Sequence, residues 1–241
     1  MKTLKQRLRY KITYKMLFEQ FKKYDKLVLL THVDQKEGNY TDNTVVIGNM
    51  IEKYPETYSN TSPKKVISVG SMDDDRKGFI KQIMIWKKIA PSFPDWTLNI
   101  YGGGARSTYY KELIEKENLT GKVILHGKSS EIPKRMEESS IFIMTSEAEG
   151  LPMVLIEAMS SGIPCVSYDC PTGPSDIIND GVDGFVIDLN NEEEFINKLK
   201  LLMQEDSTRK EFGKQARENG KRYLPNVIMP KWEKLFEELT K

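Results

Sequence analysis

Two glutamates eight residues apart, Glu149 and Glu157, are the side chains of this sequence best suited to hold a polar ligand. Pro152 suits the first turn of a helix and helical spacing then lasts until Gly162, so Glu149 is predicted in a loop and Glu157 in the following helix. An ionised Glu only accepts hydrogen bonds, and vicinal sugar diols offer two donors at once. The N–H groups at the start of a helix attract phosphate. The pattern therefore indicates sugar hydroxyls beside a phosphate, and a solvated loop before an ordinary amphipathic helix is the alternative.

A charged loop earlier in the chain offers cations for such a phosphate. The loop begins at Gly70 and Ser71 and ends with Arg76, Lys77 and Gly78. A guanidinium can bind two phosphate oxygens, whereas an ammonium acts as a point charge. The alternative is a solvated turn whose charges pair with one another.

Composition excludes several classes of function. The charges nearly cancel, with 36 Lys plus Arg against 35 Asp plus Glu, which argues against a dedicated nucleic-acid binder. No apolar run approaches the roughly 18 residues that span a membrane, and the basic opening lacks the apolar stretch of a signal peptide. The two cysteines and two histidines do not form a zinc-ligand set, so we expect a reduced, cytoplasmic protein.

From residue 65 onward, short β-rich runs alternate with helical patterns, which predicts an α/β fold with a Rossmann-like, doubly wound parallel sheet. The predicted strands are 65–69, 96–101, 122–125, 141–145, 164–168 and 184–187. The predicted helices are 79–89, 107–117, 130–138, 152–160, 175–178, 192–204 and 208–222. Ligands bind beyond the carboxyl ends of such strands, so the loops after them should line one crevice.

The segment 145–178 carries a recognisable pattern. Its run TSEAEGLPMVLIEAM is followed by GIPCVS and then by CPTGPSDII. This pattern resembles the donor-binding domain of family 4 (group 1) retaining glycosyltransferases of the GT-B fold, and the similarity runs from about residue 65 to 205. The resemblance implies one half of a GT-B fold, completed by a C-terminal crossover helix.

The resemblance also implies roles for the two glutamates. Glu149 would contact the donor sugar, and Glu157 would bond the ribose of the nucleotide. Glu147 has a competing claim to the first role, but only Glu149 keeps the eight-residue offset. Lys77 and Arg76 are predicted to be catalytic residues together with Glu149. The predicted donor-binding residues are Gly70, Ser71, Gly102, Gly103, His126, Gly127, Gly150, Leu151, Pro152, Met153, Val154 and Glu157.

Within the charged loop, the resemblance assigns the diphosphate to Lys77, with Arg76 replacing an Arg that often stands where this chain has Ser71. The acidic run 73–75 could be mistaken for a Mg²⁺ or Mn²⁺ site. The GT-B fold uses cations and a helix end instead, so we expect no metal and no cofactor.

The first 60 residues resemble only the end of the family's other Rossmann domain. We predict a remnant of the N-terminal acceptor domain plus linker at 1–62, a nucleotide-sugar-binding domain at 63–222, and a crossover helix at 223–241 that packs on the remnant through Trp232, Leu235 and Phe236. Each Rossmann half needs roughly 150 residues, so a partner supplying the missing N-terminal domain is an open possibility. The basic segment 4–23 is predicted as a helix, either solvated or peripheral on the inner membrane face.

The expected function is transfer of a hexose-type sugar from a UDP-linked donor to a cell-surface glycan or lipid acceptor. The alternative is a non-catalytic nucleotide-sugar-binding or assembly module.

Overall fold

The computed structural model describes residues 18–38, 40 and 42–240. Its main sheet has six parallel strands in the order β5-β4-β3-β6-β7-β8, and a smaller sheet pairs β1 with β2, also parallel. The strands are β1 Leu27–Leu29, β2 Thr44–Val46, β3 Lys65–Val69, β4 Thr97–Tyr101, β5 Val123–Gly127, β6 Ile141–Met144, β7 Cys165–Asp169 and β8 Gly184–Asp188. The predicted α/β, Rossmann-like fold class is confirmed, since strand order reverses beside β3 as in a doubly wound sheet.

Nine α-helices are described in residues 18–38, 40 and 42–240, besides a helical stretch at 18–21. They are α1 His32–Glu37, α2 Phe79–Ile89, α3 Ser107–Lys116, α4 Ile132–Glu137, α5 Met153–Ser160, α6 Pro174–Ile177, α7 Glu192–Gln204, α8 Asp206–Gly220 and α9 Pro225–Leu239. Short 3-10 turns at Ala90–Ser92 and Lys221–Tyr223 extend α2 and α8. Most of the predicted helix 4–23 lies outside the described residues. No described helix is both long and apolar enough to cross a membrane.

The core lies on both faces of the main sheet. One apolar cluster joins β3 and β4 to α2, α3 and α7, with Trp86 and Phe195 fully buried. The other joins the opposite face to α4, α5 and α8 through Met136, Ile156 and Ala216. All four residues of β6 are buried and apolar, because helices cover both faces of a parallel strand.

The N-terminal elements pack against α9. Ile47 after β2 contacts Ile228 and Leu235 of α9 in a small apolar cluster, with Trp232 partly buried beside it. Phe236, predicted in this contact, is instead exposed and stacks on Trp232 with ring centroids 5.8 Å apart. The residue lies outside the cluster because the helix turns its ring toward solvent. The predicted domain boundaries remain predictions.

Candidate functional site

Lys77 and Glu149, which are 72 residues apart in the chain, meet at the carboxyl end of the main sheet. The Lys77 Nζ lies 2.6 Å from Glu149 Oε1, and the two side chains are 28% and 12% exposed. The loops are held together at Gly78, because Thr145 donates its hydroxyl to the Gly78 carbonyl at 2.9 Å. A Cβ at residue 78 would lie 2.3 Å from the Thr145 carbonyl oxygen, so only glycine permits this approach. The structure thus brings a cation and a carboxylate to one point.

The loop that carries Glu149 is fixed by the loop after β7. Thr172 donates its hydroxyl to the Glu149 carbonyl. Gly173 has φ 108°, and a Cβ there would come within 2.4 Å of Pro152 Cδ. The turn 172–174 therefore packs against the backbone of residues 149–152 and fixes its position.

The helix α5 begins directly after this loop. Pro152 is its N-cap, and no described side chain caps the first N–H groups, which include those of Met153 and Val154. A helix start without a side-chain cap leaves donors and the positive dipole end for an anion. The predicted phosphate-binding helix end therefore directly follows the loop that carries Glu149.

Glu157, one turn further along α5, occupies a different environment. Its carboxylate has no hydrogen-bond or ion-pair partner among the described residues, and burial raises its pKa. The side chain lines a small pocket of about 40 Å³ together with Lys53, Pro133 and Met136. A half-buried carboxylate without a donor favours a ligand that supplies hydroxyls.

A cleft of about 370 Å³ opens between the loops that follow β3, β4 and β5. Four of the predicted donor-binding residues line it, namely Gly70, Ser71, Gly102 and Gly103. Gly102 has φ 146°, and a Cβ there would lie 1.8 Å from the Gly70 carbonyl oxygen, so the two loops pack backbone against backbone. We call this space the glycine cleft.

Lys128 also lines the glycine cleft, although the sequence patterns did not single it out as a site residue. Its side chain lies over Gly103, with Cγ 3.2 Å from the position of an ideal Cβ there. Lys128 contributes to the lowered pKa of Asp73, after the hydrogen bonds from the Ser71 hydroxyl and the Ala105 N–H. Two sequence signals pointed to it: its place directly after β5 and Gly127, where crevice residues are expected, and the resemblance of the turn 126–128 to a stretch that lines a nucleobase pocket.

Arg76 stands apart from this cluster. Its Nε pairs with Asp74 at 2.7 Å, and the side chain is 75% exposed. Its carbonyl accepts from the Glu147 N–H, and the Glu147 carboxylate pairs with Lys81 at 3.1 Å. Glu147 is thus engaged away from Lys77, which favours Glu149 as the first glutamate. The predicted role of Arg76 requires its side chain to leave Asp74.

The acidic run of the charged loop is occupied by its own hydrogen bonds. Asp73 accepts from the Ser71 hydroxyl at 2.7 Å, and Asp75 accepts from the Tyr110 hydroxyl at 2.9 Å. In the described part of the chain, no group of three or more His, Cys, Asp or Glu has the arrangement of a metal site.

His126 and Gly127 lie off the glycine cleft. The His126 ring stacks on Tyr101 with centroids 4.3 Å apart, and its Nε2–H donates to Asn99 Oδ1 at 2.8 Å. Burial lowers the His126 pKa, which favours the neutral form of the ring. Gly127 has φ 72° and lines the outer side of the edge strand β5. Both predicted residues precede Lys128 at the end of β5, and neither lines the glycine cleft.

Gly150 and Leu151, the two remaining predicted donor-binding residues, face the N-terminal elements. Leu151 lines a pocket of about 140 Å³ with Leu30, Gly48 and Asp176. A Cβ at Gly150 would lie 3.8 Å from Leu30 Cδ1. The Glu149 loop is therefore positioned between the main sheet and the smaller one.

The fold is a Rossmann-like half of the kind found in GT-B glycosyltransferases. The chain belongs to the glycosyl transferases group 1 family, whose sequence model matches residues 50–219. It is 33% identical over 225 residues to the amylovoran biosynthesis glycosyltransferase AmsD of Erwinia amylovora, an alignment that covers 88% of this chain and 62% of AmsD.

Solved structures show the same architecture. A complex of a Staphylococcus aureus TarM mutant with fondaparinux, alpha-GlcNAc-glycerol and UDP superposes with a TM-score of 0.82 at 28% identity, covering 92% of this chain and 46% of TarM. The chain is also 36% identical over 139 residues to the poly(ribitol-phosphate) alpha-N-acetylglucosaminyltransferase of S. aureus, over 57% of this chain and 28% of that enzyme. The chain therefore spans less than two thirds of the length of each of these proteins: 62% of AmsD, 46% of TarM and 28% of the S. aureus enzyme.

Proposed function

We propose that this chain supplies the donor-binding half of a retaining, metal-independent glycosyltransferase that uses a UDP-linked, hexose-type sugar. The observation that carries the proposal is the Lys77–Glu149 pair beside the glycine cleft and the uncapped start of α5. UDP in the TarM complex supports the choice of nucleotide, and the name of AmsD supports a polysaccharide product. The acceptor is then a cell-surface glycan or lipid. The cytoplasm, including the inner membrane face, is the expected location.

Several residues of the proposed site contribute to breaking the bond between the anomeric carbon and the diphosphate. Negative charge grows on the departing nucleoside diphosphate as this bond breaks. Lys77 and the N–H groups at the start of α5 stabilise that charge more in the transition state than in the ground state, which accelerates the reaction. Glu149 holds sugar hydroxyls once Lys77 has turned to the diphosphate, and Glu157 accepts from the ribose. The acceptor hydroxyl oxygen bonds to the anomeric carbon on the face that the diphosphate leaves, and the hydroxyl proton passes to the departing diphosphate oxygen.

Nucleotide binding tests this proposal directly. A nucleotide that binds only the folded state raises the melting temperature of the protein. We expect a larger increase with UDP than with GDP, because UDP is the proposed nucleotide. Replacing Glu157 by Ala is expected to weaken UDP binding by about 1.5–3 kcal/mol, as loss of hydrogen bonds to a charged group does. If neither nucleotide stabilises the protein, the assignment of the crevice is wrong.

A second candidate is a non-catalytic module that binds a nucleotide sugar without transferring it. The proposed site accounts for the donor alone, and this chain matches 46% of TarM. Release of UDP from UDP-glucose or UDP-N-acetylglucosamine, measured with a glycan acceptor, separates the two. UDP binding without UDP release supports the module, and release with a product of retained anomeric configuration supports the enzyme.

A further inference from the structure

A pocket of about 390 Å³ lies between the segment 58–61 and one face of α8, and we call it the linker pocket. Its lining includes Tyr58, Thr61, Lys210, Lys214 and Arg217. None of its lining residues belongs to the glycine cleft. The proposed donor site therefore leaves this pocket unexplained.

The linker pocket is cationic because one face of α8 carries basic residues. Lys210, Lys214 and Arg217 recur at spacings of four and three residues, which places them on one face of α8. In the part of the chain that the structure describes, Lys214 has no hydrogen-bond or ion-pair partner. The one acid in the lining, Glu218, is paired with Lys221 at 2.7 Å. Lys210 is paired with Asp206 at 2.7 Å, so the excess positive charge of the pocket lies on Lys214 and Arg217.

Arg217 is held rigidly at the inner end of the pocket. Its Nη1 donates to the Ser160 carbonyl at 2.6 Å and its Nη2 donates to the Pro55 carbonyl at 2.8 Å. The guanidinium lies 4.2 Å from the ring centroid of Tyr58 and 4.5 Å from that of Tyr54. These four contacts are with uncharged carbonyls and rings, and no described carboxylate pairs with Arg217, so its positive charge remains available to an anion. Tyr58 itself is largely exposed at the mouth of the pocket.

The floor of the pocket contains a buried polar group without a partner. Thr61 is 2% exposed, has φ 56°, and its Oγ1 finds no hydrogen-bond partner among the described residues. A buried hydroxyl in this condition is costly, and a positive φ is strained for a β-branched residue. Gly213 allows the helix to approach, since a Cβ there would lie 2.4 Å from the Gly162 carbonyl oxygen and 3.0 Å from Thr61 Cγ2. A larger residue at 213 would displace this floor.

We propose that the linker pocket binds a phosphate ester of a sugar or polyol, separately from the nucleotide donor. The phosphate meets Lys214, Lys210 and the fixed charge of Arg217, since charge-assisted hydrogen bonds to phosphate are the strongest that these side chains form. The carbon body packs on the exposed ring of Tyr58, as aromatic linings of ligand pockets do. To reach the anion, Lys210 exchanges its exposed contact with Asp206 for the phosphate.

The test uses the full chain saturated with UDP, so that the donor site cannot take up the probe. Glycerol 3-phosphate, inorganic phosphate and glycerol are titrated by calorimetry at low ionic strength. Glycerol 3-phosphate is expected to bind at one site, and glycerol is expected not to bind. Lys214→Ala is expected to weaken the binding of glycerol 3-phosphate about five- to tenfold, because solvent partly screens the contact between the exposed Lys214 ammonium and the phosphate. Tyr58→Ala is expected to weaken glycerol 3-phosphate more than inorganic phosphate.

Lys234→Ala is the matched control, because Lys234 is an exposed lysine of α9 that does not line the linker pocket. Its affinity for glycerol 3-phosphate should equal that of the unaltered chain. An oligomer of glycerol phosphate that binds more tightly per site than the monomer identifies a polymeric ligand, and equal affinity identifies a small ester. Absence of binding in millimolar probe, or equal losses in the Lys214 and Lys234 variants, would overturn the proposal. If the unaltered chain does not bind UDP, the proposed donor site is wrong. Failure of the donor site is therefore distinguishable from failure of the linker pocket, which shows in the binding of glycerol 3-phosphate.

Discussion

Replacing Glu149 by Gln should tighten the binding of UDP while it impairs the transfer of the sugar. In the free protein, the Lys77 ammonium is held 2.6 Å from the Glu149 carboxylate, so a diphosphate must compete with that carboxylate for the cation. Gln keeps the size of the side chain but removes its charge. Lys77 is then released to the diphosphate without an opposing partner.

The expected gain follows from the exposure of the pair. Fully exposed ion pairs contribute about 0.2–1 kcal/mol, and this pair, with side chains 28% and 12% exposed, belongs near the upper end of that range. Removal of about 0.5–1 kcal/mol of competition lowers the Kd for UDP about two- to fivefold. The same substitution removes a charged acceptor for the sugar, which costs about 1.5–3 kcal/mol of transition-state binding and lowers kcat/KM at least about tenfold.

Calorimetric titration with UDP and a UDP-release assay measure the two effects separately. Lys77→Ala should weaken UDP about tenfold or more, because it removes the cation itself. Glu147→Gln is the matched control, since Glu147 pairs with Lys81 and should leave the affinity for UDP unchanged. If Glu149→Gln weakens UDP as strongly as Lys77→Ala does, the two side chains act as one binding unit and the competition argument is wrong.

Three further predictions concern neighbouring positions. Burial raises the pKa of Glu157, so ionisation of its carboxyl destabilises the folded state as the pH rises through that raised pKa. Glu157→Gln should therefore raise the melting temperature at pH 7 but not at a pH below the ordinary glutamate range. Gly102→Ala should cost about 3 kcal/mol or more in urea denaturation, because its Cβ would strike the Gly70 carbonyl. Gly121→Ala, at φ 79° with nothing within 4 Å, should cost only about 1 kcal/mol. Lys128→Ala should weaken UDP binding, measured by titration, by less than Lys77→Ala does, because Lys128 lines the cleft without a fixed contact.

Elements with strong periodicity and clear ends were predictable from sequence. The helices at 79–89 and 192–204 have the predicted bounds, and the six strands of the main sheet differ from the predicted ones by two residues at most. Gly78 and Asn191 mark the starts of those two helices, and Asn191 accepts from the Glu194 N–H. Local signals of this kind do not depend on distant residues, so they can be read from the sequence.

The helix α1 shows where local signals fail. Its six residues, HVDQKE, carry no apolar stripe, and this segment is not among the predicted helices. The Thr31 hydroxyl accepts from the Asp34 N–H, which caps one donor locally. The N–H groups of His32 and Val33 are bound by the carboxylate of Asp176, more than 140 residues away. Much of the stabilisation at this helix start is therefore supplied by tertiary structure, which no local pattern contains.

The glutamate pair shows the same limit at the site. Spacing alone places Glu149 in a loop and Glu157 in a helix, and both positions are as predicted. The difference in their electrostatics comes from distant residues, since Lys77 pairs with Glu149 and no described donor reaches Glu157. A paired carboxylate must exchange its partner before it can bind a sugar, whereas an unpaired one gains its first hydrogen bonds from the ligand. Binding of the nucleotide should therefore begin at Glu157 and the glycine cleft, with Glu149 becoming free for the sugar only when the diphosphate has taken Lys77.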